Sequence, residues 1–145
     1  VPKGHPLANR SRVKAEELKS ETMLLLGTGH CFRDQVLEVC PELSRFSATN
    51  EGIQRTFEGS SLETIRHMVA SGIGITVLPM SSVPAEPDPR DLLRYIPFEE
   101  PVPDLRVVLA WRKSFPRTAA IETLIATIRS CRLNGVTMLE AETAS

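Results

Sequence analysis

Short apolar runs alternate along this chain with segments of helical period, and that order constrains the fold more than any other feature. Residues 22–26 end in Met23-Leu24-Leu25-Leu26, an apolar run without polar alternation, which predicts a buried strand. Residues 53–57 and 73–78 predict two more, the second nearly continuous and closed by Pro79. Between them Phe32, Val36, Leu37 and Val39 recur at helical spacing over residues 30–39, and Leu62, Ile65, Met68 and Val69 share one helical face over residues 61–70. Pro41 stops the first helix and Gly72 the second. Strands alternating with amphipathic helices are the rhythm of a mainly parallel sheet. A short helix is expected over residues 13–19, a polar loop over 43–52 and an exposed proline-rich loop over 84–89. Strands are expected over 92–96 and 105–111, separated by a stretch of hinge composition, and a last long helix over 118–131.

The stretch Gly29-His30-Cys31-Phe32-Arg33-Asp34-Gln35, with Cys40-Pro41 beyond it, carries the chemistry. Thr28 is placed to cap the helix, which puts Cys31 in its first turn. There the free backbone N–H groups and the positive end of the helix dipole favour a thiolate, and His30 and Arg33 push the same way. Nine helical residues rotate by about 900°, half a turn, and rise about 13 Å, so Cys31 and Cys40 face opposite ways. A disulfide needs Cα atoms within about 7 Å, so the two thiols cannot join while the helix is intact. The bland alternative makes Cys40 a small buried apolar residue and Cys31 an incidental thiol.

This motif, with the second cysteine at its spacing and Ser61-Leu62-Glu63-Thr64 further on, closely resembles the regulatory domain of peroxide-sensing LysR-type transcriptional regulators. The resemblance runs from about His5 to Arg132. It implies an α/β fold of periplasmic-binding-protein type, a LysR-type effector domain. Residues 1–100 would be mainly the second lobe with the redox switch and 101–104 a hinge. Residues 105–133 would be the returning strand and helix of the first lobe, and 134–145 a C-terminal tail. Val1-Pro2 followed by Gly4-His5-Pro6 reads as a strand remnant, so a fragment lacking the opening strands of the first lobe is expected. The resemblance further implies that Cys31 is peroxidatic, passing through a sulfenic acid, and that Cys40 resolves it as a Cys31–Cys40 disulfide. Hydrogen peroxide, further copies of the chain, and DNA reached through a domain outside this chain are the implied partners, and transcription regulation rather than enzymic turnover the implied role.

Composition permits this reading. A length of 145 residues with 41% hydrophobic content suffices for one core or two small lobes. Three cysteines are too few for a disulfide scaffold, and with no signal peptide or long apolar run the chain is expected in a reducing cytoplasm, off the membrane. A net charge of −1 argues against nucleic-acid binding by this part itself. His5, His30 and His67 are too dispersed for a metal site, and Gly72, Gly74 and Thr76 make no nucleotide fingerprint, so no metal or cofactor is expected. His30 is a candidate hydrogen-bond donor to the peroxide oxygen. Arg33 and Asp34 are candidate active-site residues beside Cys31, as a charge pair that fixes the turn, against the plainer reading of two solvated helix charges. Gly29, Ser60 and Ser61 are candidates for an effector pocket, against the plainer reading that Ser61 caps its helix. Cys131 reads as a packed or bystander thiol. Two other functions fit the same residues: a thiol peroxidase, or a LysR-type domain that binds a small organic effector and uses no thiol chemistry.

Overall fold

The computed structural model describes residues 1–41, 56–86, 88 and 90–139. The expected loop over residues 43–52 and the first part of the strand expected over 53–57 lie outside them. Two compact units are present, one formed by Val1–Leu78 and Pro87–Leu105, the other by Pro79–Glu86 and Arg106–Ser145.

The first unit is built on β1, Met23–Leu26, all four of whose residues are buried. Such a run suits a strand covered on both faces, as parallel sheets are. It pairs in parallel with β2, Thr56–Gly59, in the register Met23 to Thr56 through Leu26 to Gly59. On its other edge Met23 forms a parallel bridge with Ile75, where Leu24 N–H donates to the Ile75 carbonyl at 2.8 Å and Ile75 N–H to the Thr22 carbonyl at 2.9 Å. Gly74 is required there because a Cβ would run into the Thr22 carbonyl oxygen.

Alternation along β1 divides the core in two. Met23 and Leu25 point to one face, where they cluster with Leu18, Val36, Cys40 and Ile75. Leu24 and Leu26 point to the other, with Ile65, Val69 and Leu93. The first face is covered by α1, Cys31–Val39, and a 3-10 turn, Ala15–Ser20; the second by α2, Leu62–Ala70. Phe32 packs against both clusters. Ser61 caps α2, its hydroxyl accepting from Thr64 N–H at 3.2 Å. Gly72, at φ 79°, closes the helix: its N–H reaches the Val69 carbonyl, and the next N–H, from Ile73, reaches Met68.

The expected strand over residues 73–78 is reduced to the bridge at Ile75, and that over 92–96 to an antiparallel bridge between Leu93 and Pro2. Residues 105–111 form no ladder among the described residues, since a strand needs a neighbour to accept its backbone bonds. In the second unit the long helix α3, Thr118–Ser130, has no fully buried residue. Val107 and Val108 are 84% and 72% exposed.

Candidate redox site

The turn after β1 sets the position of the first thiol. Gly29 takes φ 96°, a backbone region that a side chain would strain. His30 then adopts φ −90° and ψ 117° and is the N-cap of α1. Thr28, expected in that role, stays exposed in the turn, because the Gly27 to His30 turn adds residues between the strand end and the helix. The His30 side chain makes no cap hydrogen bond, and its carbonyl accepts from Arg33 N–H at 2.9 Å. Cys31 is therefore the first residue of α1, and its thiol is free and exposed. Its neighbour Phe32 is partly buried and packs against both core clusters, so the helix start is anchored while the thiol faces solvent.

Cys40 sits at the other end in the opposite environment. Its N–H closes α1 on the Val36 carbonyl at 2.9 Å, and its thiol is a buried member of the first core cluster, 3.9 Å from the Ala15 carbonyl. Burial pushes this thiol's pKa up, and the nearby Glu16 carboxylate adds to the shift. Eight helical residues, Phe32 to Val39, separate a solvent-facing sulfur from one packed beneath a 3-10 turn. Cys131, at the C-cap of α3, is exposed, with its sulfur 3.3 Å from the Thr127 carbonyl.

Arg33 joins neither Asp34 nor open solvent. Its Nη1 donates to the Leu26 carbonyl at 3.0 Å and to Glu58 Oε1 at 2.5 Å, across the ends of β1 and β2. Asp34 is exposed in the first turn of α1. No local motif points to Glu58, which lies 25 residues from Arg33. It follows directly on the segment of strand composition over residues 53–57, and parallel pairing of β2 beside β1 is what brings it there.

Gly29 and Ser60 are exposed, and Ser61's hydroxyl is occupied within its own helix, bonded to Thr64 N–H and 3.0 Å from Thr64 Oγ1. His5 contacts Glu21 at 3.3 Å, and His67 lies exposed 3.6 Å from Glu63. Among the described residues there is no cluster of metal-ligating side chains, and no helix is long and apolar enough to cross a membrane.

Comparison with known proteins gives this arrangement its context. Residues 1–131 match the LysR substrate binding domain. The chain belongs to that family. It is 42% identical over 125 residues to the "Hydrogen peroxide-inducible genes activator" of Pectobacterium carotovorum subsp. carotovorum, covering 86% of this chain and 39% of that protein. To the "DNA-binding transcriptional dual regulator OxyR" of Escherichia coli (strain K12) it is 40% identical over 131 residues, 90% of this chain and 40% of that one. The chain thus spans about two fifths of these relatives' length. The structure of a reduced form of OxyR from N. meningitidis superposes with a TM-score of 0.85 at 42% identity, over 96% of this chain and 63% of that one. The α/β fold of a LysR-type effector domain, expected from the strand and helix order and the cysteine motif, is borne out by this family match and superposition.

Proposed function

We propose that the chain is the peroxide-sensing regulatory part of a LysR-type transcriptional regulator, with Cys31 as the peroxidatic and Cys40 as the resolving cysteine. The observation that carries this reading is the contrast along α1: an exposed thiol at the first helical position, a buried one at the C-cap. The Cys31 thiolate attacks one oxygen of hydrogen peroxide. A sulfur–oxygen bond forms, the O–O bond breaks, and hydroxide leaves, which gives a sulfenic acid. Once α1 opens, Cys40 sulfur attacks the Cys31 sulfur, the S–O bond breaks, water leaves, and the disulfide closes. His30, exposed beside Cys31, is available to donate to the departing oxygen. Arg33 holds the helix start against the strand ends, and Asp34 adds a charge to the first turn.

Peroxide is thus the signal, and the altered domain would act through other copies of the chain and a DNA-binding domain elsewhere in the protein, in the cytoplasm. The names of the two relatives support both the signal and the DNA link. A pocket at Gly29, Ser60 and Ser61 has weaker support, because the Ser61 hydroxyl serves its own helix.

The test is mass spectrometry after substoichiometric peroxide. The wild-type chain should form a Cys31–Cys40 disulfide and Cys40→Ser should accumulate oxidised Cys31, whereas Cys31→Ser should lose fast oxidation. Equally fast oxidation of Cys40 in Cys31→Ser would reverse the assignment. Sustained turnover of peroxide with a thiol reductant would favour a peroxidase, and inert thiols would favour an organic effector.

A further inference from the structure

We propose that Glu58 is a positioning residue of the thiol switch: through Arg33 it holds the first turn of α1 on the sheet and shifts the Cys31–Cys40 equilibrium towards the dithiol. The inference rests on the redox reading above and goes beyond it, since it assigns a role to a residue that takes no part in sulfur chemistry.

The geometry is specific. A single nitrogen, Arg33 Nη1, donates both to the Leu26 carbonyl at the end of β1 and to Glu58 Oε1 on β2. The Arg33 side chain is 15% exposed and that of Glu58 50%, so the pair is partly shielded from water. Charge-assisted hydrogen bonds from a largely buried guanidinium exceed those of fully exposed surface pairs in strength. Arg33 lies inside the segment that a Cys31–Cys40 bond must close, two residues after the attacking thiol. Because the bond cannot form on an intact helix, closure moves Arg33 off Leu26 and Glu58. Glu58 therefore stabilises only the dithiol state, and removing its charge makes the disulfide easier to form and harder to reduce.

The test equilibrates the full chain, as wild type, Glu58→Gln and Glu58→Asp, with mixtures of reduced and oxidised glutathione, and measures the mapped Cys31–Cys40 disulfide by mass spectrometry after acid quenching. In this exchange oxidised glutathione takes up the two electrons that the thiols give up and leaves as two molecules of reduced glutathione. Glu58→Gln should shift the equilibrium towards disulfide about fivefold, which is a potential roughly 20 mV more negative. Glu58→Asp should recover part of the wild-type value. High salt should move the wild type towards Glu58→Gln while leaving that variant nearly unmoved. A merely structural role would change thermal unfolding of the reduced chain without that salt-dependent shift in potential. Equal potentials for wild type and Glu58→Gln, or a shift towards the dithiol, would overturn the role of Glu58 while leaving the switch intact. A wild-type chain that forms no Cys31–Cys40 disulfide at any ratio would instead overturn the redox reading, and this inference with it.

Discussion

Closing a Cys31–Cys40 disulfide should unfold much of α1 and leave a strained, oxidising bond. The helix runs Cys31–Val39 and Cys40 closes it on Val36, so the two Cα atoms are separated by about 13 Å of axial rise where a disulfide tolerates about 7 Å. Giving up two turns sacrifices roughly four hydrogen bonds at about 1 kcal/mol net each. Withdrawing Cys40, only 5% exposed, from among Leu18, Met23, Leu25, Val36 and Ile75 adds about 1 kcal/mol of lost burial. The sum of about 5 kcal/mol raises the potential of the pair by roughly 100 mV over an unstrained disulfide, from the range below about −300 mV to around −200 mV. Two measurements check this: a glutathione titration of the pair, and hydrogen exchange across residues 32–39 in both states. Protection should fall in the disulfide form. A potential below about −300 mV, or unchanged protection beside a verified disulfide, would refute the reasoning, because an intact helix cannot contain that bond.

Iodoacetamide should label Cys31 and Cys131 well before Cys40 in the native reduced chain, with the difference vanishing in urea; equal native rates, read by peptide mapping, would contradict the burial of Cys40. Cys40 also sets a pH dependence, because burial and Glu16 raise its folded pKa above the ordinary 9.0. Below that value the thiol is protonated whether folded or not, and stability is unaffected. As pH climbs past it the unfolded chain loses the proton first, so stability falls until the folded pKa is passed. Urea titrations from pH 7 to 10 should show this decline, and Cys40→Ala should lessen it. Ile65→Ala, at a position 1% exposed between α2 and β1, should cost about 2–4 kcal/mol in the same assay. Exposed Val107 and Val108 should drive concentration-dependent self-association in sedimentation velocity, relieved by Val107→Lys with Val108→Lys.

The parts of the fold legible in the sequence are those with a local cause. The run Met23 to Leu26 can lie only in an interior, and it is β1. Ser61 ahead of an apolar face and Gly72 behind it bound α2 within a residue at each end. Strands over residues 73–78 and 105–111 were overstated, since apolar, β-branched composition reports a tendency to extend, and only a neighbouring backbone turns extension into a ladder. The cap at Thr28 failed for a related reason: capping chemistry was present, yet Gly29 with its positive φ carried the chain two residues further, to His30, before the helix began.

The same distinction separates the two halves of the candidate site. Helical geometry alone sets the two thiols on opposite sides, so counting residues from Cys31 to Cys40 sufficed for that, whereas packing against Leu18, Met23 and Leu25 is what buries Cys40 and leaves Cys31 outside. The partner of Arg33 does not follow from any local rule. Asp34 is the adjacent carboxylate, but consecutive residues on a helix point about 100° apart and do not face each other. Glu58 reaches Arg33 because parallel pairing sets Leu26 beside Gly59 and so brings the last residues of β2 to the strand end where α1 begins. The two cysteines of the proposed switch are legible in ten residues of sequence, whereas the Arg33–Glu58 contact exists only after the sheet has formed, so under the proposed role of Glu58 the redox poise of the pair would depend on tertiary structure.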